Sequence, residues 1–345
     1  MAQSSFSACV YLHANALPPA VWRSFRENPH TSNIMLAHAE KATQRPSAVP
    51  GLPNAHGDLW VVLWDIRHAT SSPSVSFVLS CTTGPLGTYP IFIFTPLSAT
   101  HLSYSSISPR ILAMVDALRG HVPPERVFSV FAIDNIADVF ADTWTARTGM
   151  SLDQNPVYYH ARLMYCDKST FQSRQLSNIP GAEAKLRRAV GADVAKVGRL
   201  CHAFAAESEP FVLSRDKAIQ EAKLLIQNNQ VWVYEIRMPG REPEIASIVA
   251  ATRATETVTA ITKVFTDPTW RSRGCAERLT RHVCQHLLET KAAVVLYVAH
   301  GKYAAESVYR RVGFVGFSEY SKSASMGESW KESGFDRSRV ELGHW

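Results

Sequence analysis

The sequence lacks the patterns of a disulfide-stabilised, secreted or membrane-embedded protein. Its six cysteines include no CxxC spacing and no paired cluster, which favours reduced thiols inside a cell. The first residues have no basic segment followed by a sustained apolar core, so no signal peptide is expected. No apolar run approaches the roughly 18 residues of a membrane span. These features predict a cytoplasmic protein that does not act at a membrane.

Long runs of like charge are also missing. The 345 residues carry 36 Lys and Arg against 30 Asp and Glu, and the net charge of +6 is spread along the chain. This mild excess suits anionic small molecules and does not predict a nucleic-acid partner. His56, His68 and His101 are isolated, so no metal site is expected. The composition leaves the oligomeric state open.

Strand-like and helix-like patterns alternate along the chain. Runs of β-branched and aromatic residues such as "LWVVLWDI", "SVSFVLSC" and "VWVYEIR" predict strands, and "SPRILAMVDALRGH" predicts a helix. The alternation predicts an α/β (α+β) fold in which helices flank a mixed central sheet. A polar segment with Pro and Gly, residues 167–182, is the expected linker between two domains.

The stretch "WRSRGCAERL" joins a predicted strand to a predicted helix. The first backbone N–H groups of a helix lack internal partners, and that end is electropositive. Gly274 lets an anion approach the main chain, and Ala276 keeps a nearby position small. Arg271 and Arg273 add positive charge suited to phosphate oxygens. The pattern predicts a phosphate cradle, although a simple surface turn would also accommodate these residues.

A second group of residues lies in "AAESVYRRVGF". Apolar residues share one face of a predicted helix, Tyr309 lies beside them, and Gly313 ends the helix before a strand that begins at Phe314. With both groups present, the second half resembles the GNAT superfamily (GCN5-related N-acetyltransferases), which uses acetyl-CoA. The resemblance covers about residues 183–322.

Both common signatures of that superfamily are matched. The loop supplies the three defining positions of R/Q-x-x-G-x-G/A: Arg271, Gly274 and Ala276. The helix supplies four positions of N-x-x-A-x-x-L-Y-x-x-x-G-F: Ala305, Tyr309, Gly313 and Phe314. Two positions depart from the second signature, with Lys302 in place of Asn and Val308 in place of Leu.

The resemblance implies a splayed sheet that holds acetyl-CoA as cosubstrate. The pantetheine arm would pair with the main chain of the strand before the loop: Val264, Phe265 and Thr266. The pyrophosphate would bind the loop and its backbone N–H groups: Arg271, Ser272, Arg273, Gly274, Cys275 and Ala276. Lys302 would reach a CoA phosphate, or it is a surface residue.

The resemblance also implies direct transfer of the acetyl group to an amine. Tyr309 would act as general acid at the departing thiolate. No covalent enzyme intermediate is implied, so Cys275 and Cys284 are not expected to be nucleophiles. Because no acidic cluster lies near the motifs, the expected acceptor is a small-molecule amine and not a basic peptide.

A general base is missing from its usual place. Many members of the superfamily carry Glu on the strand before the loop, where this sequence has Ala260. Substitutes in the same half are Glu235, Glu256 and His300, and His300 is the preferred candidate. All three also have ordinary structural interpretations, as solvated carboxylates or a residue at a strand end.

The first half repeats the order of elements of the second, which predicts a degenerate GNAT-like unit in tandem. Its strand "YPIFIFTP" leads into "LSATHLSYSSISPRIL", which contains no glycine, so its expected role is structural. The predicted domains are therefore residues 1–166 and an acetyltransferase domain, 183–345, that binds acetyl-CoA. The alternative to an N-acetyltransferase is a non-catalytic CoA-binding or scaffold protein of the same fold.

Overall fold

The computed structural model describes residues 5–44, 58–66, 72–175, 179–316 and 329–344. Contacts between residues divide the chain into two units. Unit 1 comprises Met1–Arg162 with Phe317–Trp345, and unit 2 comprises Leu163–Gly316. His56, His68, part of the expected linker (176–178) and the end of the last predicted strand of the resemblance (317–322) lie outside the described residues.

Strands and helices alternate as the sequence predicts. The strands are β1 Ser5–Tyr11, β2 Leu59–Ile66, β3 Ser74–Cys81, β4 Thr83–Gly84, β5 Gly87–Thr88, β6 Ile91–Phe94, β7 Ser129–Ile133, β8 Leu152–Asp167, β9 Glu183–Arg188, β10 Val231–Arg237, β11 Glu244–Ala254, β12 Val258–Thr266, β13 Ala293–Ala299, β14 Val315–Gly316 and β15 Ser329–Phe335. The helices are α1 Pro19–Glu27, α2 Asn33–Thr43, α3 Tyr104–Arg119, α4 Asp134–Thr148, α5 Val194–Ala206, α6 Arg215–Gln227, α7 Cys275–Leu288 and α8 Tyr303–Val312. Among the described helices, none has the length and apolar character needed to cross a bilayer.

Each unit has a mixed sheet. The strand order in unit 1 is β1-β2-β3-β6-β7-β15-β8, in which β6 and β7 are parallel and the other paired neighbours are antiparallel. In unit 2 the order is β13-β12-β11-β10-β9, with β12 and β13 parallel. The predicted α/β fold with a mixed central sheet flanked by helices is confirmed in both units.

The last strand of the chain belongs to unit 1. β15 lies between β7 and β8, with Trp330 opposite both Ile133 and Ala161. In unit 2, the short strand β14 pairs with the end of β8, with Val315 opposite Tyr165. The division therefore differs from the predicted boundaries at 166 and 183, because unit 2 ends at Gly316 and begins within β8.

The segment predicted as a linker begins as part of unit 2. Gln172 donates its backbone N–H to the carbonyl of Val312 at the end of α8, over 2.9 Å. Its own carbonyl accepts a hydrogen bond from the guanidinium of Arg281 in α7. Both contacts anchor the main chain after β8 against the two helices of unit 2.

The sheet of unit 2 is covered on both faces. Helices α7 and α8 bury one apolar cluster, in which Leu279, Val283 and Leu288 of α7 recur at helical spacing. Helices α5 and α6 bury the other cluster, which includes Leu200, Leu225 and Phe265 and lies on the opposite face. The two layers fix the ends of β12 and β13 relative to the helices that follow them.

A buried ion-pair network joins α7 to α8. Glu277, which is 5% exposed, accepts hydrogen bonds from Arg281 over 2.8 Å and from Arg311 over 2.6 Å. Arg281 also donates to the carbonyl of Arg311 over 2.8 Å. Burial alone would raise the pKa of the Glu277 carboxyl, but Arg311 and Arg281 outweigh burial and hold that pKa below its usual range.

Gly313 lets α8 end against the segment that follows β8. Its φ of 116° lies in the left-handed region, and a Cβ there would lie 2.8 Å from the Cα of Phe171 and would overlap the carbonyl of Thr170. The glycine of the second signature is therefore required by packing.

Replacing Glu277 with Gln should destabilise the protein by about 3 kcal/mol, because it removes one partner of a buried charge network. Glu306→Gln is the matched control. It breaks a partly exposed pair with Arg310 and should cost less than about 0.5 kcal/mol. Urea unfolding at pH 7 measures both, and equal small losses would contradict the assigned role of the network.

The same network predicts a pH dependence. The lowered pKa of Glu277 means that its contribution is complete above about pH 4.3 to 5, where the unfolded carboxyl is ionised. That contribution is lost as the pH falls through the folded-state pKa. The free energy of unfolding of Glu277→Gln should therefore decline less steeply in acid than that of the wild type.

Gly313→Ala should cost about 2–4 kcal/mol, from left-handed strain and overlap with backbone atoms. Gly301 offers a control, since its φ is 80° and no atom lies within 4 Å of a Cβ added there. Gly301→Ala should cost only the strain, about 1–2 kcal/mol. Thermal and urea unfolding would contradict the packing argument if the two variants lost the same stability.

Candidate functional site

The sheet of unit 2 opens where β12 and β13 end. The two parallel strands pair over only four residues each, from Val258 opposite Ala293 to Ile261 opposite Leu296. Beyond that point β12 continues to Thr266 and β13 to Ala299 without pairing to each other in the described chain. The carboxyl ends of the strands therefore flank a gap, as the resemblance implies.

Main-chain groups of alternate residues on β12 face this gap. Asp267 donates its N–H to Ala246 on β11 over 2.9 Å, and the carbonyl of Phe265 accepts from Ser247 Oγ over 2.9 Å. Since main-chain groups alternate sides along a strand, those of Val264 and Thr266 point away from β11 and toward the gap. The main-chain groups of Phe265 point toward β11, so of the three predicted residues Val264 and Thr266 are the two whose main chain faces the gap.

The loop between β12 and α7 presents a row of backbone donors. Ser272 and Gly274 adopt left-handed φ values of 61° and 72°, and α7 begins at Cys275. Among the described residues, no main-chain acceptor bonds the backbone N–H groups of residues 272–277. Successive unpaired N–H groups at a helix start form an anion-binding concavity.

Three guanidinium groups surround this loop. Arg271 forms an ion pair with Glu207 over 2.6 Å, and Arg273 lies 5.1 Å from the centre of the Trp270 ring. Arg278 donates to the carbonyl of Arg273 over 2.5 Å. Its guanidinium lies 2.6 Å from the position of a Cβ added to Gly274. The sequence analysis missed Arg278, although its position four residues after Gly274 places it over the helix start.

The cysteines near the site are unsuited to act as thiolates. Cys275 and Cys284 are both buried, and burial raises the pKa of each thiol above its ordinary value. Both therefore stay protonated at neutral pH. This agrees with the expectation that neither is a nucleophile.

Tyr309 lies in the apolar cluster beneath the gap, together with Ile261, Leu296 and Cys284. Its ring packs edge-on against Phe314, with 5.9 Å between ring centres. Burial raises the pKa of its hydroxyl, and the neighbouring Cys284 thiol raises it further. The hydroxyl makes no hydrogen bond within the described part of the chain. The hydroxyl is therefore a protonated donor that bonds to no acceptor among the described residues.

His300 and Lys302 follow directly after β13. Both are exposed, and the N–H of Lys302 donates to the carbonyl of Ala299 over 3.2 Å. Because β12 and β13 are parallel, these residues lie at the same end of the sheet as the loop after β12.

The two glutamates suggested as general bases are not available in the gap. Glu235 forms an ion pair with Arg187 over 2.5 Å, and Arg187 also holds Asp193. Glu256 precedes β12, at the opposite end of the strand from the loop. Glu235 lies at the loop end of the sheet, but it is on β10, two strands from β12, so of the three candidates His300 is the one that follows a strand of the gap.

A guanidinium takes the place of the missing carboxylate. Arg253 on β11 lies opposite Ala260, and Ala260 lies opposite Val295 on β13. Arg253 reaches across Ala260 to lie 5.9 Å from the ring centre of Tyr297. A β-bulge between Ala251 and Arg253 sets this register, which sequence spacing alone does not reveal.

Unit 1 differs at the corresponding position. Its parallel strands pair at Ile91 with Val130 and at Phe92 with Phe131. The connection from β6 to α3 contains no glycine, and α3 starts after Ser103, whose carbonyl accepts from Ser106 over 2.9 Å and from Ile107 over 3.0 Å. This connection lacks the Gly-containing loop of unit 2, so a structural role stays the prediction for unit 1.

Comparisons with known proteins agree with this geometry. The family model of FR47-like protein matches residues 243–322, which include the gap, the loop and Tyr309. A GCN5-related N-acetyltransferase from Sphaerobacter thermophilus is similar in structure, with 15% identity and a TM-score of 0.51. The alignment covers 95% of this chain and 94% of that chain.

A Drosophila protein is also similar, with 10% identity and a TM-score of 0.58, covering 91% of this chain and 94% of that chain. No curated protein sequence matches. At these identities the structural likeness establishes the fold alone. The chain therefore has the fold of the GCN5-related N-acetyltransferase (GNAT) superfamily, and its residues 243–322 match the FR47-like family model.

Proposed function

We propose that unit 2 transfers an acetyl group from acetyl-CoA to an amine, most simply a small molecule. The observation that carries this proposal is the gap between β12 and β13, which ends at a loop whose backbone N–H groups, residues 272–277, bond to no main-chain acceptor in the described part of the chain. An extended chain with amide groups fits the first feature, and a pyrophosphate fits the second. Acetyl-CoA has both, and it supplies an acetyl group activated as a thioester.

The residues present fit this cosubstrate. Val264 and Thr266 would offer main-chain donors and acceptors to the pantetheine amides, as a neighbouring strand does. The loop N–H groups would hold the pyrophosphate, and three arginines would balance its charge: Arg271, Arg273 and Arg278. Lys302, exposed at the same end of the sheet, is a further candidate for a CoA phosphate.

Tyr309 would supply a proton donor at the sulfur. Its raised pKa keeps the hydroxyl protonated at neutral pH, and no acceptor among the described residues competes for it. An ordinary thiol has a pKa of about 8.5, so a tyrosine donates a hydrogen bond that stabilises the departing thiolate. The amine loses one proton as it is acetylated, and the CoA thiolate takes up one proton, so the overall transfer is balanced.

Arg253 bears on the protonation state of the acceptor. It lies opposite Ala260, one residue before the last paired position of β12, and its guanidinium lies 5.9 Å from the ring centre of Tyr297. A fixed positive charge disfavours an ammonium nearby and therefore lowers the pKa of an amine bound there. We infer that the acceptor reacts as a neutral amine, with His300 as the candidate for accepting its proton.

A second candidate function is a non-catalytic CoA-binding protein. It is favoured by one observation, that Ala260 and Arg253 stand where the superfamily commonly has a carboxylate. Both functions require the same cosubstrate site, so binding experiments test the site and turnover distinguishes the two functions.

Acetyl-CoA should bind the wild type, and Ala276→Glu should weaken that binding at least about tenfold more than Ala276→Gln does. The two side chains have the same size, so the difference isolates repulsion between a carboxylate and the pyrophosphate. Calorimetric titration in low salt measures both, and higher salt should reduce the difference. Equal affinities for the two variants would contradict a phosphate site at the start of α7.

Tyr309→Phe should lower the rate of CoA release about 10²–10⁴-fold and leave acetyl-CoA binding nearly unchanged, because only the hydroxyl is lost. The rate is measured by thiol detection with the wild type and a panel of small primary amines. Full activity of the variant would remove Tyr309 from the mechanism. Binding without CoA release in the wild type, with every amine, would favour the non-catalytic function.

A further inference from the structure

Arg271 is engaged with three groups of the protein. Its guanidinium pairs with Glu207 over 2.6 Å, its Nε donates to the carbonyl of Thr266 over 3.2 Å, and it lies 5.3 Å from the ring centre of Phe265. The guanidinium of Arg273 packs on the ring of Trp270, within the loop region itself. Arg271 therefore links the loop to Glu207, the residue that follows α5.

Glu207 belongs to the other layer of unit 2. It follows α5 directly, at the start of the connection to α6 that spans residues 207–214. Its N–H donates to the carbonyl of Phe204 over 3.1 Å, while its side chain is 49% exposed. The connection also exposes an apolar side chain, Val212, at 61%. The Arg271–Glu207 pair therefore links the phosphate loop to this connection.

The proposed cosubstrate needs the groups that Arg271 now uses. The carbonyl of Thr266 faces the gap, where the pantetheine would pair with it. The Arg271 guanidinium is the charged group at the first position of the loop, where the pyrophosphate would recruit it. Because Arg271 and Glu207 are 45% and 49% exposed, their pair is weak enough to exchange for a more highly charged phosphate.

We propose that Arg271 is a latch between the cosubstrate site and the α5–α6 connection. In one position, which the structure shows, it holds Glu207 and covers the Thr266 carbonyl. When the pyrophosphate binds the loop, Arg271 moves to it, the Thr266 carbonyl becomes available, and Glu207 and residues 207–214 are released. This inference rests on the proposed function, and it assigns Glu207 the role of a competing ligand for Arg271.

The latch is tested by the affinity for CoA at low ionic strength. Glu207→Gln should bind CoA about two- to fivefold more tightly than the wild type, because the competing carboxylate is gone. Glu209→Gln is the matched control. It removes the same charge two residues away, at an exposed side chain outside the Arg271 pair, and should change the affinity by less than the error of about 1.5-fold.

A double mutant separates the latch from a general effect of charge. In an Arg271→Gln background, Glu207→Gln should no longer tighten CoA binding. A gain of the same size in that background, or an equal gain from Glu209→Gln, would overturn the latch and leave only repulsion between surface carboxylates and CoA. If the wild type and all variants bind CoA with one affinity, the latch fails while the proposed site stands. If the wild type binds no CoA, the proposed function fails and the latch with it.

A second measurement follows the released connection. Hydrogen exchange of backbone amides in residues 207–214 should become faster when CoA is added to the wild type. In Glu207→Gln it should be fast without CoA and change little on adding it. Exchange that slows or stays constant in the wild type, while the loop itself becomes protected, would contradict the release of this connection.

Discussion

The interaction on which the site depends is the pairing between β12 and β13, which ends after Ile261 and Leu296. Buried or half-buried main-chain groups require partners, so a strand that continues without a neighbour leaves donors and acceptors for something else to satisfy. Val264 and Thr266 lie on the part of β12 that continues beyond its pairing with β13. The start of α7 adds unpaired N–H groups at the same end of the sheet, so a single opening presents strand edge and anion site together.

The rest of unit 2 keeps this opening in shape. The charge network around Glu277 joins the helix that begins at the loop to the helix that carries Tyr309. Gly313 and Gln172 then fix the end of α8 against the segment after β8. The loop and Tyr309 are therefore held by one set of contacts, which is the arrangement that the proposed transfer reaction requires.

Local patterns in the sequence predict the parts of the site that depend on local structure. Gly274, preceded by Arg271 and Arg273, predicts the phosphate loop, and the spacing around Tyr309 predicts its helix and the glycine that ends it. Features that depend on register were not accessible. The main chain of Phe265 faces β11 because of its pairing with that strand, and Arg253 lies opposite Ala260 because of a β-bulge. The return of β15 to unit 1 is a long-range pairing, which no local pattern encodes.

The most direct test of the central claim is backbone hydrogen exchange with and without CoA. If the gap and loop hold the cosubstrate, exchange should slow in residues 262–277, where strand-edge and loop N–H groups gain acceptors. The corresponding connection of unit 1, residues 91–106, should be unaffected. Protection in residues 91–106, or CoA binding that leaves residues 262–277 unprotected, would contradict the account.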